Sequence, residues 1–530
     1  TCNWGSFALS YCPGEAKLRG TLTSIELERP GRGDLIAGIS VALVLIPQSL
    51  AYAEIAGLPA FIGLYAAALP PLAAAILASS RYLQTGPTAM TALLTFGAIS
   101  QVASPGSADY IEAAVVLAVI VGVGRILLGL ARGGIVAYLM SSPVLIGFTT
   151  AAAILILASQ VPTLLGVDGG DGTLIGNAWR AFTMAGSWGW PGLILGIVAA
   201  AILVAGRRLH PLFPGVLLAV VFGIIFSEAT NFDLLIVGDV PSGLPDLQFT
   251  FALDGFWELV VPGAVIALVG FAEVAAISRT FATQDRERWD PNREFISQGV
   301  ANLAAAVSSG FPVGGSFSRS SVARISGAQT RWAGAITGIV VLAFLPFAGV
   351  ISSLPRSILA AIVVVAVLRL IRVPTMIALI SKTWGQAFVA WGTFVATLAL
   401  APRIDLGVII GLLLAAAVHF RRETLIRVTA ERSDGTLTLR PSGVLFYGSA
   451  ARLDDAFSGE LADHPEIVDV VVNLEALGRI DYTGAVALKE FLDEAAAAGL
   501  NVSVRDIPTH AEGTLNRSWG DELTRLRWEG

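Results

Sequence analysis

Charge is scarce in this sequence. Only 14% of its 530 residues are Asp, Glu, Lys or Arg, against about 25% in an ordinary soluble domain. With 55% hydrophobic residues and a mean hydropathy of +0.72, a water-soluble globule would expose large apolar patches. A simple soluble enzyme and a disordered chain are both excluded. Lysine occurs only at Lys17, Lys382 and Lys489, and the net charge is −6, so no basic field for nucleic acid exists. The two cysteines, Cys2 and Cys12, lie close to the start and provide neither a disulfide framework nor a CxxC metal pair. His210, His419, His464 and His510 are scattered, and the HExxH and GxxxxGK[ST] patterns are missing, which argues against a zinc hydrolase and an ATP-driven pump. No enzyme activity, cofactor, metal or nucleic-acid partner is expected. Thr1–Gly33 has no continuous apolar core, so no signal peptide is expected within it. Glycine and proline are plentiful, but without the Gly-X-Y period that collagen requires.

What the chain does have is long apolar runs, recurring from Asp34 to Phe420. A membrane-spanning helix needs about 20 apolar residues. About fourteen segments are read on that basis: 34–56, 60–79, 86–101, 108–131, 141–165, 188–207, 213–229, 256–283, 294–309, 318–327, 329–350, 354–371, 383–401 and 405–420. The reading is an α-helical polytopic membrane protein. With the N-terminus inside the cell, the inner loops collect most of the positive charge, including Arg81, Arg125, Arg132, Arg207, Arg208, Arg286, Arg288 and Arg372. The outer connections hold only Arg180, Arg356 and Arg403. The stretch 230–255 has no Lys or Arg and carries Asp233, Asp239, Asp246 and Asp254, as an outer connection should.

Two segments, 86–101 and 318–327, are too short or too polar to cross as ordinary helices. Each is third in its set of seven, and each follows glycine- and proline-rich sequence: Leu83-Gln84-Thr85-Gly86-Pro87 and Phe311-Pro312-Val313-Gly314-Gly315. Matched interruptions in two halves point to a transport site between inverted repeats. Thr88 is placed to cap a helix starting near Ala89, and Ser318 one starting near Arg319. A helix N-terminus exposes unpaired N–H groups and about +0.5 charge, so two such ends facing each other make an anion cradle. Arg319 either adds to that field, is held by a carboxylate, or sits at the cytoplasmic rim. Glu273, within the eighth segment, is an expensive charge in lipid. It either takes the proton that accompanies an anion, since an ionised carboxylate would repel it, or forms a salt bridge with Arg319 or Arg279. Glu54, at the end of the first segment, is a weaker candidate for the coupling ion, and a solvated edge position explains it as well.

After Phe420 the composition changes. Residues 421–530 read as one small α/β domain, with strands at Val444–Tyr447, Ile467–Asn473 and Asn501–Val504 and helices at Leu453–Ala462 and Ala485–Ala498. Five strings then carry a resemblance. They are Ile46-Pro47-Gln48-Ser49-Leu50-Ala51-Tyr52-Ala53, Thr85-Gly86-Pro87-Thr88-Ala89, Val237 to Pro245, Pro291-Asn292-Arg293-Glu294-Phe295 with Gly299-Val300-Ala301-Asn302, and Gly315-Ser316-Phe317-Ser318-Arg319-Ser320. Together they resemble the SulP family of anion transporters, and the C-terminal domain resembles the STAS domain that follows in that family.

The resemblance implies a 7+7 inverted repeat with core and gate domains, and dimers. It implies a pocket lined by Gln48, Tyr52, Thr88, Ser316, Phe317, Ser318 and Arg319. Gln48 and Ser49 are equally explained by interhelical hydrogen bonding, and Tyr52 by ordinary packing. Asn292, Glu294 and Asn302 read as structural, and the glycines of Gly238–Pro245 as a tight turn. Asp481-Tyr482-Thr483-Gly484 resembles the phosphorylation loop of anti-sigma-factor antagonists, with Thr483 at the modified position. Helix capping explains the same residue types without a kinase.

The expected domains are a cytosolic tail (1–33), a first repeat (34–229), an outer connection (230–255), a second repeat (256–420) and a cytosolic STAS-like domain (421–530). The expected function is secondary active transport of a small anion (sulfate, bicarbonate, or a dicarboxylate such as fumarate) across the cell's inner, or plasma, membrane. Proton symport by an elevator-like movement is expected, with sodium as the other candidate coupling ion. The competing readings are a nucleobase permease of the same fold, an uncoupled anion channel or exchanger, and a membrane-tethered signalling protein.

Overall fold

In lipid a helix must satisfy its own backbone hydrogen bonds, and the apolar runs do so. The structure, a computed structural model, describes residues 29–135, 141–167, 170, 172–210, 212–230, 235–249, 255–423, 426–433 and 435–526. The expectations placed on Cys2, Cys12, most of the 1–33 tail, Asp233 and Asp254 lie outside the described residues. The chain forms two compact units, Thr1–Leu412 and Leu413–Gly530.

The first unit is helical. Helices α1 (Arg32–Ile55) and α2 (Ala60–Leu77) lead to strand β1 (Thr85–Gly86) and the short α3 (Ala89–Ile99). Next come α4 (Ala108–Leu130), α5 (Ser142–Leu165), α6 (Leu174–Thr183), α7 (Trp190–Leu209) and α8 (Gly215–Ala229). The pattern then repeats: α9 (Phe256–Asp285), α10 (Pro291–Val307), strand β2 (Gly314–Gly315) and the short α11 (Phe317–Ile325). After these come α12 (Trp332–Phe344), α13 (Arg356–Val367), α14 (Val373–Lys382), α15 (Trp384–Ala399) and α16 (Ile404–Glu423). Among the described residues, nine helical stretches are long and apolar enough to cross a membrane. The sequence pattern missed α6 and α14, each of 10 residues. They are too short to register as spans, and α6 exposes Ile175, Trp179 and Phe182 along one stripe.

Small residues and local caps set these elements. α4 and α10 approach so closely at Gly122 and Gly299 that a Cβ on Gly299 would lie 2.7 Å from the Gly122 carbonyl oxygen, the small-residue packing typical of membrane helices. Asp290 starts α10 by accepting the Asn292 and Arg293 N–H groups at 2.9 and 3.3 Å. Glu294, fully buried, accepts N–H groups from Ser79, Ser80 and the Trp289 indole. Asn292 accepts the Gly134 N–H, so the structural reading of these two residues agrees with their contacts.

Three expectations need correction. Arg125 is not a loop charge: α4 runs on to Leu130, and Arg125 is fully buried inside it. Gly238–Pro245 is not a tight turn. It belongs to an extended strap whose N–H groups go elsewhere, Val237 to the Leu354 carbonyl and Gly238 to that of Ser352. The strap's far end is tied to the end of α10 by Gln248 N–H to the Val307 carbonyl at 2.9 Å. In the second unit, Val444–Tyr447 is not a separate strand. Strand β4 (Thr436–Leu445) ends there and helix α17 (Tyr447–Asp463) begins.

The second unit opens with β3 (Arg427–Ser433), which the sequence reading missed because its exposed face is polar. β3 pairs antiparallel with β4; β5 (Asp469–Asn473) and β6 (Leu477–Ile480) pair parallel with β4, and β7 (Asn501–Arg505) pairs parallel with β5. Helices α18 (Tyr482–Ala497), α19 (Thr509–Trp519) and α20 (Glu522–Leu526) complete it. Leu439, Val470, Val472, Leu488 and Leu492 are among its buried core.

Asp34 illustrates how a buried carboxylate holds the first unit. It accepts hydrogen bonds from Gln329 N–H, Thr330 N–H, the Thr330 hydroxyl and Gly31 N–H, all between 2.7 and 2.9 Å. It thereby ties the start of α1 to the link between α11 and α12. Asp34→Asn places an NH2 group against these donors. A loss of about 2–3 kcal/mol is expected, read as a lower melting temperature of the detergent-solubilised protein; an unchanged melt would contradict the clamp.

Candidate functional site

The two short strands place the site. β1 and β2 pair antiparallel, with Thr85 opposite Gly315 and Gly86 opposite Gly314. Because the strands run oppositely, α3 and α11 leave the ribbon in opposite directions, and both N-termini stay beside it. Side chains from the surrounding helices hold the ribbon. Gln298 donates to the Thr85 hydroxyl at 2.8 Å. Asn302 accepts the Val313 N–H at 2.9 Å and donates to the Val313 carbonyl. The Gln84 N–H donates to the Ser320 hydroxyl at 2.9 Å.

The two helix starts differ. Thr88 caps α3 as expected: its Oγ1 accepts the Thr91 N–H at 3.2 Å. The Ala89 and Met90 N–H groups are left without an intrahelical acceptor. At α11 the expectation of a Ser318 cap is corrected. The helix begins at Phe317, so the cap position belongs to Ser316, and no side chain caps it. The cause is the ribbon: Ser316 N–H is engaged with the Gln84 carbonyl at 3.1 Å, and the Ser316 carbonyl already accepts Ser320 N–H. Ser318 sits in the first turn, its hydroxyl 3.3 Å from that of Ser316. The first N–H groups of α11 are therefore open. Ser318 and Phe317 are exposed, Ser316 is half-buried and Thr88 is buried, so the start of α11 is accessible and that of α3 is covered. The Phe317 ring stacks on Phe281 at a centroid distance of 5.7 Å.

Arg319 is fully buried. Its Nη1 donates weakly to the Gln48 amide oxygen at 3.5 Å, and its Nε and Nη2 have no hydrogen-bond partner among the described residues. A Cβ on Gly86 would lie 3.5 Å from Nη2, so the guanidinium sits against the ribbon. Tyr52, one turn beyond Gln48 on α1, and Glu273 on α9 are its electrostatic neighbours. Among the described residues Glu273, the carboxylate named as its partner, forms no ion pair with it. Glu273 is half-buried and has no hydrogen bond or ion pair among the described residues, so the salt-bridge reading of Glu273 has no support here. Glu54 is placed differently. It lies two residues past Tyr52, about 200° around the helix, and pairs with Arg356 at 3.3 Å. The structure thus groups Gln48, Tyr52, Arg319, Glu273 and the two helix starts, and leaves Glu54 apart.

Arg125 was missed as part of this region. Its guanidinium donates to the carbonyls of Ile266 and Ala267 on α9 at 3.2 Å each and of Val313 at 3.0 Å. The available signal was an arginine inside the otherwise apolar run Val115–Leu130. In the second unit, the Thr483 hydroxyl and the Gly484 N–H both donate to Asp481 Oδ1, at 2.8 and 2.7 Å. That is a helix cap for α18. No cluster of potential metal ligands occurs among the described residues.

Comparison with known proteins agrees with the fold. The Sulfate permease family profile matches residues 32–393, and the STAS domain profile matches residues 427–522. A probable sulfate transporter of Mycobacterium tuberculosis is 33% identical over 415 residues, covering 77% of this chain and 73% of its own. The chloroplastic sulfate transporter 4.1 of Arabidopsis thaliana is 30% identical over 539 residues, covering 93% and 78%. Among solved structures, the murine anion transporter Slc26a9 in its inward-facing state superposes with a TM-score of 0.85 at 19% identity, over 93% of this chain and 89% of that one. The transmembrane domain of the cyanobacterial bicarbonate transporter BicA gives 0.61 at 23% identity, over 73% and 97%. The family profiles over residues 32–393 and 427–522 and the shared helical fold agree: this chain is a multi-pass membrane protein belonging to the sulfate permease family.

Proposed function

We propose that the chain is a secondary active transporter of sulfate, bound between the N-termini of α3 and α11 and carried together with a proton on Glu273. The observation that carries this reading is Arg319, a buried guanidinium without a carboxylate partner, set beside two helix starts with open N–H groups. A cation unpaired in lipid is expensive, and a small oxyanion offers the missing acceptors. The relatives named sulfate transporters favour sulfate over bicarbonate or fumarate. The bovine relative named a sodium-independent sulfate anion transporter favours a proton over sodium.

Glu273 supplies the coupling. Ionised, it repels sulfate across the shared site; protonated, it does not, so proton and anion bind together. The exposure of Ser318 at the start of α11, with Thr88 buried at the start of α3, fits a carrier whose site faces one side. α1–α4 and α9–α12 act as the moving core and the remaining spans as the gate, in an elevator-like alternation. The repeats are 34–229 and 256–420, and the 421–530 domain and N-terminal tail face the cytoplasm of a plasma-membrane protein that works as a homodimer. Thr483 serves as a capping partner rather than a regulatory switch.

Proteoliposome uptake of labelled sulfate against a panel of anions tests the substrate, with proton and sodium gradients applied separately. Sulfate accumulation driven by an inward proton gradient is expected, rising as external pH falls, because Glu273 must be protonated to move. Accumulation that follows the sodium gradient alone would overturn the coupling. Glu273→Gln should abolish proton-driven accumulation while sulfate binding persists, and unaltered accumulation would remove Glu273 from the coupling. Arg319→Ala should weaken sulfate affinity by about 10- to 100-fold, the loss of a charge-assisted contact of about 1.5–3 kcal/mol; intact affinity would move the site elsewhere.

A further inference from the structure

Arg125 and Arg319 are both fully buried, yet they are handled in opposite ways. Arg319 is left without strong partners. Arg125 spends its donors on three backbone carbonyls from two parts of the fold, Ile266 and Ala267 on α9 and Val313 just ahead of β2. It has no ion-pair partner among the described residues. A neutral side chain would be cheaper here, so the charge needs a reason.

The reason lies in what those contacts hold. Val313 immediately precedes β2, whose residues pair with β1 before the chain turns into α11. α9 carries Glu273 about two turns beyond Ile266 and Ala267. Gly270 of α9 lies close both to the guanidinium and to Thr91 at the other helix start. A methyl on Gly270 would run into Arg125 Nη2 and would lie 3.8 Å from the Thr91 methyl, and a Cβ on Gly314 would lie 3.3 Å from that same methyl. Thr91 is the residue whose N–H and hydroxyl complete the Thr88 cap of α3. One side chain, carried by α4, thus meets α9 and the approach to α11, and the bare face of Gly270 that it packs against also adjoins Thr91 beneath the α3 cap.

We propose that Arg125 is a positioning residue of the anion site: through the Val313 carbonyl and α9 it fixes the spacing of the two helix starts and of Glu273, without touching the anion. This deepens the proposed transport site and rests on it. It differs from a role in stability alone, because a spacing error alters affinity in the molecules that do fold.

The test uses the full chain reconstituted in proteoliposomes, with labelled sulfate as the probe and KM and turnover per folded molecule measured separately. Arg125→Met should raise KM for sulfate about tenfold while turnover stays within about twofold. Arg125→Lys keeps the charge but reaches fewer carbonyls, so it should restore KM only in part. Gly270→Ala leaves Arg125 in the chain and pushes its guanidinium aside, and should raise KM in the same direction. These two variants decide the question if Arg125→Met does not fold. An unchanged KM with only a smaller folded fraction would reduce Arg125 to a structural strut and overturn the proposal; so would full rescue by lysine. Arg319→Ala is the control arm. If it raises KM while the Arg125 and Gly270 variants do not, the site stands and the positioning role falls. If it too leaves KM unchanged, the site reading itself is wrong.

Discussion

Four paired residues hold the centre of the first unit. A broken helix in lipid leaves peptide groups that water cannot reach, and each costs several kcal/mol unless it finds a partner. The chain breaks twice, at Thr85–Gly86 and at Gly314–Gly315, and each break supplies the partner of the other. The pairing is what allows both short helices to start near the same place. Its antiparallel sense sends them apart, so that their positive ends rather than their negative ends remain beside the ribbon. Ser320 then takes the Gln84 N–H, Asn302 and Arg125 take the Val313 peptide groups, and Gln298 holds the Thr85 hydroxyl.

The electrostatic design follows from that arrangement. Two helix starts at about half a unit charge each, with one guanidinium, present about two positive charges, which matches the charge of a sulfate dianion in the proposed site. At an effective dielectric constant near 20, each unit pair at 4 Å is worth about 4 kcal/mol. That offsets part of the dehydration cost without the tight hold of a lysine cluster. In the proposed mechanism Glu273, half-buried and without an ion pair among the described residues, is the group that makes such a site conditional on protonation. Glu54 differs because Arg356 already engages it.

Much of this was legible in the sequence, and the exceptions have physical causes. The helical spans fall within a few residues of the apolar runs, since burial in lipid demands length and hydropathy that nothing else imitates. The two breaks were visible as Gly-Pro-rich strings in matching places. The start of α11 was not, because strand pairing consumes Gly314 and Gly315 and gives the cap position to Ser316 instead of Ser318. Arg125 was read as a loop charge because a charge-counting rule assigns arginines to helix ends and cannot see three backbone carbonyls converging from distant sequence. The β3 strand was hidden for a similar reason: its polar residues become a strand through pairing with β4, not through their own pattern.

The central claim is that the anion lies between the two helix starts. The direct measurement is the anomalous signal of selenate, a heavier stand-in for sulfate, in crystals of the full chain. The account predicts one peak beside the ribbon, between the Ala89 and Met90 N–H groups of α3 and the Ser318 and Arg319 N–H groups of α11, and next to the Arg319 guanidinium. A peak elsewhere in the membrane unit, with the space beside Arg319 empty at saturating selenate, would contradict it.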